Sequence, residues 1–161
     1  MNALVEDQLR RLRQALEAPQ IHNWLDTNRG KNRVTFGRYT GQTAVSGVQN
    51  DNSLRRLRKE LQDREEEWRQ IQQINDPDLL YYFPRLDGGE MWSRWDMQDT
   101  PPDILITNYS MLNIMMMREI ENSIFDQTRE WLASDSENQF FLIIDELHAY
   151  RGTPVLKLLI F

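Results

Sequence analysis

Asp145, Glu146 and His148 stand within a span of four residues, and their side chains can hold a metal, orient water or move a proton. They follow directly on Phe140-Phe141-Leu142-Ile143-Ile144, an unbroken apolar run of five. A carboxylate at a strand tip can hold Mg²⁺ beside bound phosphates, directly or through water, while its neighbour polarises the water that attacks the terminal phosphate. A strand that simply ends in solvated acids fits the pair equally well. The element that must position these residues is read from the run itself. Apolar residues without polar alternation fit a strand covered on both faces, as in a parallel sheet with helices above and below. The C-terminal end of such a strand is where these sheets place their chemistry.

The elements that would surround that strand follow in chain order. Val5, Leu9, Leu12 and Leu16 form the stripe of an amphipathic helix that Pro19 brings to a stop, with Arg10, Arg11 and Arg13 largely off the stripe. Arg33 to Tyr39 reads as a short strand, and Thr40-Gly41-Gln42-Thr43 as the turn after it. Residues 50–75 carry the clearest helical pattern, with Leu57, Leu61, Trp68 and Ile71 at heptad-like spacing and Asp51, Asn52 or Ser53 as the cap. Its charged remainder is a mixed-sign solvated surface. Pro77, Pro84, Gly88, Gly89, Pro101 and Pro102 make residues 76–102 loop-rich. Within them Met91 to Met97 reads as a short helix whose Trp92 and Trp95 share a face, for base stacking or for covering the core. Asp103 to Asn108 is a second buried-type strand, followed by a helix through Met117 whose run Ile114 to Met117 reads as an adaptable binding surface or, as is usual for Met on a helix's inner face, as core filler. Another helix spans residues 123–133. This alternation argues for an α/β domain with a parallel sheet.

Composition narrows the classes. The chain has 161 residues, 40% of them hydrophobic, enough for a core of its own. It lacks cysteine, so disulfide and thiolate chemistry are excluded, which suits a reducing cytoplasmic setting. No apolar run approaches the roughly 20 residues of a membrane helix. The net charge of −6 is divided unevenly: residues 1–47 carry seven basic and four acidic side chains, and the rest twelve and twenty-one. Arg29, Lys31, Arg33 and Arg38 form a basic cluster that is either a phosphate-facing patch or a solvated face.

Four segments together resemble the DEAD/DEAH-box type of superfamily 2 DNA helicases. Asn2 to Gln8 is similar to the latter part of motif Ia, where Ala-Leu and Asp-Gln lead into a helix along the nucleic-acid backbone. Arg38-Tyr39-Thr40-Gly41 is similar to the strand and Thr-Gly turn that line the groove. Pro102 to Leu112 resembles motif Ib, and Asp145-Glu146-Leu147-His148-Ala149-Tyr150-Arg151-Gly152 resembles motif II, the Walker B element, of large bacterial helicases of repair and antiphage defence. Their order along nearly the whole chain matches the family's. The resemblance implies a partial RecA-like P-loop NTPase domain over residues 1–161, with a helical and loop insertion at 48–100. It implies ATP and Mg²⁺ as cofactors in a longer parent, with Asp145 on the metal, Glu146 as the catalytic carboxylate and His148 coupling nucleotide to a second RecA-like domain. It implies DNA as partner, met by Asn2, Gln8, Arg38, Thr40, Gly41, Thr107 and Asn108, and no membrane.

The chain departs from that pattern as well. No G-x-x-x-x-G-K-S/T phosphate loop occurs in it, motif III is missing, and Thr153-Pro154-Val155 differs from the usual continuation. The expectation is an internal fragment or truncated product that is inactive alone. A non-catalytic remnant binding nucleic acid or protein stands beside it, and a metal-dependent nuclease using the same three residues is a distant third, for want of a second carboxylate cluster.

Overall fold

The computed structural model describes residues 2–74 and 76–144. They fall into two compact units, Met1–Thr128 and Arg129–Phe161.

The first unit opens with helix α1 (Asn2–Leu16), and the expected stripe is its buried face. Pro19 does not merely stop it. As the first residue of helix α2 (Pro19–Asn28), it supplies the fixed φ that a helix start tolerates, so the proline read as a terminator also begins the next element. Strand β1 (Phe36–Tyr39) follows, then the long helix α3 (Asp51–Gln72). Its cap is Asn50, one residue ahead of the expected candidates, because Asn50 Oδ1 accepts the Ser53 N–H at 3.0 Å while Ser53 Oγ accepts the Asn50 N–H at 3.1 Å. After the single turn α4 (Pro77–Leu80) come strand β2 (Glu90–Met91) and helix α5 (Arg94–Asp99). The expected short helix thus starts later, leaving Trp92 ahead of it. Strand β3 (Ile104–Thr107), helix α6 (Tyr109–Met117), a 3₁₀ turn (Glu119–Glu121) and helix α7 (Asn122–Ser134) complete the described elements.

The sheet has three parallel strands in the order β2-β1-β3. Phe36 lies opposite Ile104 and Tyr39 opposite Thr107. Asp103 fixes that register at the near end: its carboxylate accepts the Thr35 N–H at 2.7 Å and the Thr35 hydroxyl at 2.9 Å. Side chains alternate across the strands as the pleat requires. Phe36, Ile104 and Ile106 pack against Val5 and Leu9 of α1 on one face. Tyr39, Leu105 and Met91 pack with Met97, Met111, Met115 and Ile124 of α5 to α7 on the other. Gly37 has no side chain because a Cβ there would stand 2.7 Å from Met97 Sδ. Both faces are covered, which is the α/β arrangement of a parallel sheet flanked by helices and is consistent with a partial RecA-like fold. Residues 90–99, inside the stretch read as an insertion, contribute β2 and α5 to this sheet and core.

A buried ion pair joins α1 to β2. Arg13 Nε and one terminal nitrogen meet the two Glu90 oxygens at 2.6 and 2.8 Å, and the guanidinium also donates to Tyr82 O at 3.1 Å. Arg13 is therefore a core residue and not part of a solvated face.

In the second unit, Asn138 Nδ2 donates to Trp131 O at 2.7 Å and closes the end of α7. Residues 140–144, expected as the central buried strand, form neither strand nor helix. Phe141 is 74% and Ile143 89% exposed. An apolar run becomes a strand only where its N–H and C=O groups find a neighbouring strand. Asp145, Glu146 and His148, with the string through Gly152, lie outside the described residues.

Candidate nucleic-acid interface

Because β1 and β3 run parallel, their C-terminal ends share one edge of the sheet. Arg38, Thr40 and Gly41 from β1 and its turn, and Thr107 and Asn108 from β3, are brought to that edge together. α1 runs antiparallel to β1, since Glu6 meets Arg38 at this edge while Glu17 accepts the Gly89 N–H at 2.7 Å just ahead of β2. Asn2 and Gln8 therefore sit on the half of α1 nearer the same edge. Gln8 is half-buried, and the Asn2 side chain lies outside those described.

The turn after β1 is built by its threonines. Thr43 Oγ1 accepts the Thr40 N–H at 2.9 Å and donates to Arg38 O, and Thr43 N–H donates to Thr40 O at 3.1 Å. Thr40 is buried by these bonds, so its hydroxyl, which accepts the Gln42 N–H at 3.3 Å, shapes the turn from within. The exposed crest is Gly41 and Gln42. A Cβ on Gly41 would meet nothing within 4 Å, so the backbone there can be approached closely from outside.

Across the edge, Thr107 Oγ1 donates to Tyr39 O at 2.8 Å and ties the two strand ends together. Asn108 caps α6, its Oδ1 accepting the Met111 N–H at 2.9 Å. The positive end of the α6 dipole is thereby turned to this edge. Arg38 adds a cation on the α1 face, paired with Glu6. The remainder of the basic cluster does not converge with it: Arg33 stands before β1, bound to Asp26 at 2.8 Å and to His22 O at 3.2 Å.

Beneath the edge lies a polar group that the sequence did not announce. Tyr39 is wholly buried, and its hydroxyl donates to Glu121 Oε1 at 3.0 Å while accepting from Gln98 Nε2 at 2.7 Å. Burial pushes its pKa up to about 12, with Gln98 opposing and Glu121 reinforcing the shift. Arg118 meets Glu121 Oε1 at 3.4 Å. Arg94, also buried, lies 5.2 Å from the Tyr39 ring centre and donates to Thr40 O at 2.6 Å. Trp95 Nε1 donates to Gly47 O at 2.8 Å, which fixes a tryptophan expected to stack on bases or cover the core. Arg94 lies within the Met91–Met97 stretch read as a short helix, but only its partners distinguish it.

Among the described residues no group of three or more His, Cys, Asp or Glu side chains could hold a metal, and no helix is long and apolar enough to cross a membrane. No protein-family model and no solved structure matches the chain. It is similar to the Druantia protein DruE of Escherichia coli (strain UMEA 4076-1), at 33% identity over an alignment of 193 residues that takes in 94% of this chain. The chain spans 10% of the length of that relative.

Proposed function

We propose that this chain is the nucleic-acid-facing part of a helicase-related protein, with the C-terminal edge of its sheet set against the sugar-phosphate backbone of DNA. One observation carries the reading: the pairing of Tyr39 with Thr107 brings the Thr40–Gly41 turn and the Thr107–Asn108 cap of α6 to one edge. Such an edge offers the open Gly41 backbone, a helix N-terminus and Arg38, features that phosphates meet without regard to base. The four segments in helicase order support it, as does the likeness to DruE across 94% of the chain. Glu6 neutralises Arg38 in the free chain, so a phosphate must displace a carboxylate and the complex is weak. In the parent protein Asp145, a hard oxygen donor, would hold Mg²⁺ with ATP, which supplies the free energy of phosphoryl transfer. Glu146 would orient the attacking water and His148 would couple the site to the second RecA-like domain.

Fluorescence anisotropy with a labelled single-stranded oligonucleotide tests the interface. The expected binding is weak, alike for unrelated sequences and steeply lowered by salt. Arg38→Gln is expected to reduce the slope of log affinity against log salt by about 0.7, one phosphate contact on a single strand. Tight binding to one sequence, or affinity indifferent to salt, would sink the reading.

A further inference from the structure

We infer that α5 is the clamp of the Thr40–Gly47 loop, with Arg94 and Trp95 as positioning residues that set nucleic-acid affinity without touching nucleic acid. The inference rests on the proposal that this edge faces DNA. Three bonds from two adjacent residues grip the loop at its start, middle and end. Arg94 donates through its side chain to Thr40 O at 2.6 Å and through its backbone N–H to Ala44 O at 3.2 Å, and the Trp95 indole donates to Gly47 O at 2.8 Å. Ala44 also forms a parallel bridge with Ser93, next to α5 in sequence.

The loop needs such a grip. Val45 has φ 43° and Gly47 φ 77°, both in the left-handed region, and a β-branched residue such as valine adopts it only when its surroundings hold it there. The clamp is in turn anchored to the core. Met97 and Tyr39 are fully buried neighbours in one cluster, Gln98 of the same helix donates to the Tyr39 hydroxyl at 2.7 Å, and Ser93 and Asp96 form the capping box that starts α5. A buried guanidinium bound to a carbonyl makes a charge-assisted bond with one fixed direction, so Thr40 O is held where Arg94 puts it. The crest at Gly41 and Gln42 inherits that position. A loop already held in one conformation binds a ligand without the cost of ordering it first.

The test compares Arg94→Gln, Trp95→Phe and Arg38→Gln in the same anisotropy titration, with amide hydrogen exchange as a second readout. Arg94→Gln and Trp95→Phe are each expected to weaken DNA binding roughly fivefold, the worth of one net hydrogen bond. Their salt slope should stay that of the unsubstituted chain, whereas Arg38→Gln lowers it. Exchange across residues 40–47 should quicken in both α5 variants while β1 and β3 keep their protection. Trp95→Phe keeps an aromatic ring while removing the pyrrole half of the indole with its N–H, a milder change than the loss of a buried guanidinium, so it reports even where Arg94→Gln fails to fold. A lowered salt slope in Arg94→Gln would mean that Arg94 contacts phosphate itself, and would overturn the positioning role. Unchanged exchange across 40–47 in Trp95→Phe would overturn the clamp. If the unsubstituted chain binds no DNA, the interface reading falls and the positioning role with it, while quickened exchange would still report the clamp.

Discussion

Tyr39 is the residue on which sheet, core and edge meet, and its ionisation gives a way to observe it. A free tyrosine titrates near 10, whereas burial lifts Tyr39 to about 12, so between those values the folded chain keeps a proton that the unfolded chain has released. The unfolded state then binds fewer protons, and stability falls as pH rises through that window, having been fully present below it. Tyr39→Phe loses the bonds to Glu121 and Gln98 and is expected to be the less stable variant at pH 9. Its deficit against the unsubstituted chain should shrink between pH 10 and 12, read from urea midpoints at each pH. A deficit that stays constant across the window would mean that Tyr39 titrates like its exposed counterparts.

The ion pair between α1 and β2 shows how one contact can hold an element that has little else to secure it. β2 has only two residues, and the bidentate bond from Arg13 to Glu90 fastens it under α1. Removing one partner strands a buried charge, so Arg13→Met is expected to cost about 3–5 kcal/mol. Adding Glu90→Gln to it should recover much of that loss, and a double-mutant cycle by denaturant unfolding measures the coupling. Strict additivity would show that the pair contributes nothing jointly. The same contact explains what a sequence reader can and cannot see. The stripe of α1, the pattern of α3 and the apolar β3 are local and were legible, as were the residue types at the edge, Arg38, Thr40, Gly41, Thr107 and Asn108. β2 was not, because two residues directly after a pair of glycines have no period to detect. The run at 140–144 misled for the complementary reason: it has the composition of a strand, but composition does not supply a partner. Arg94 and Glu121 escaped notice because the atoms that give them meaning, Thr40 O and the Tyr39 hydroxyl, are 54 and 82 residues away in sequence.

The molecule as a whole carries a carboxylate pair without a phosphate cradle in the same sequence. The 161-residue chain is expected to release phosphate from ATP no faster than its Glu146→Gln variant when both are supplied with Mg²⁺ and DNA. The triphosphate's charge is normally met by a loop of backbone N–H groups and a lysine, and two carboxylates alone repel it. Turnover above the variant would reveal a phosphate-binding element elsewhere in the 161 residues. The strand order has a consequence for how such a chain is made. β1 is the middle strand, yet both its neighbours come later, and the Thr107–Tyr39 bond that ties β3 to it spans 68 residues. At about 5–20 residues per second of synthesis, the 68 residues amount to a wait of roughly 3–14 seconds. Until β2 is made β1 has both hydrogen-bonding edges open, and until β3 is made it still has one, the state in which a strand pairs with the wrong chain. α1 is made before β1 and covers Phe36 in the fold, so a change that weakens its apolar stripe is expected to lower yield during translation before it lowers stability.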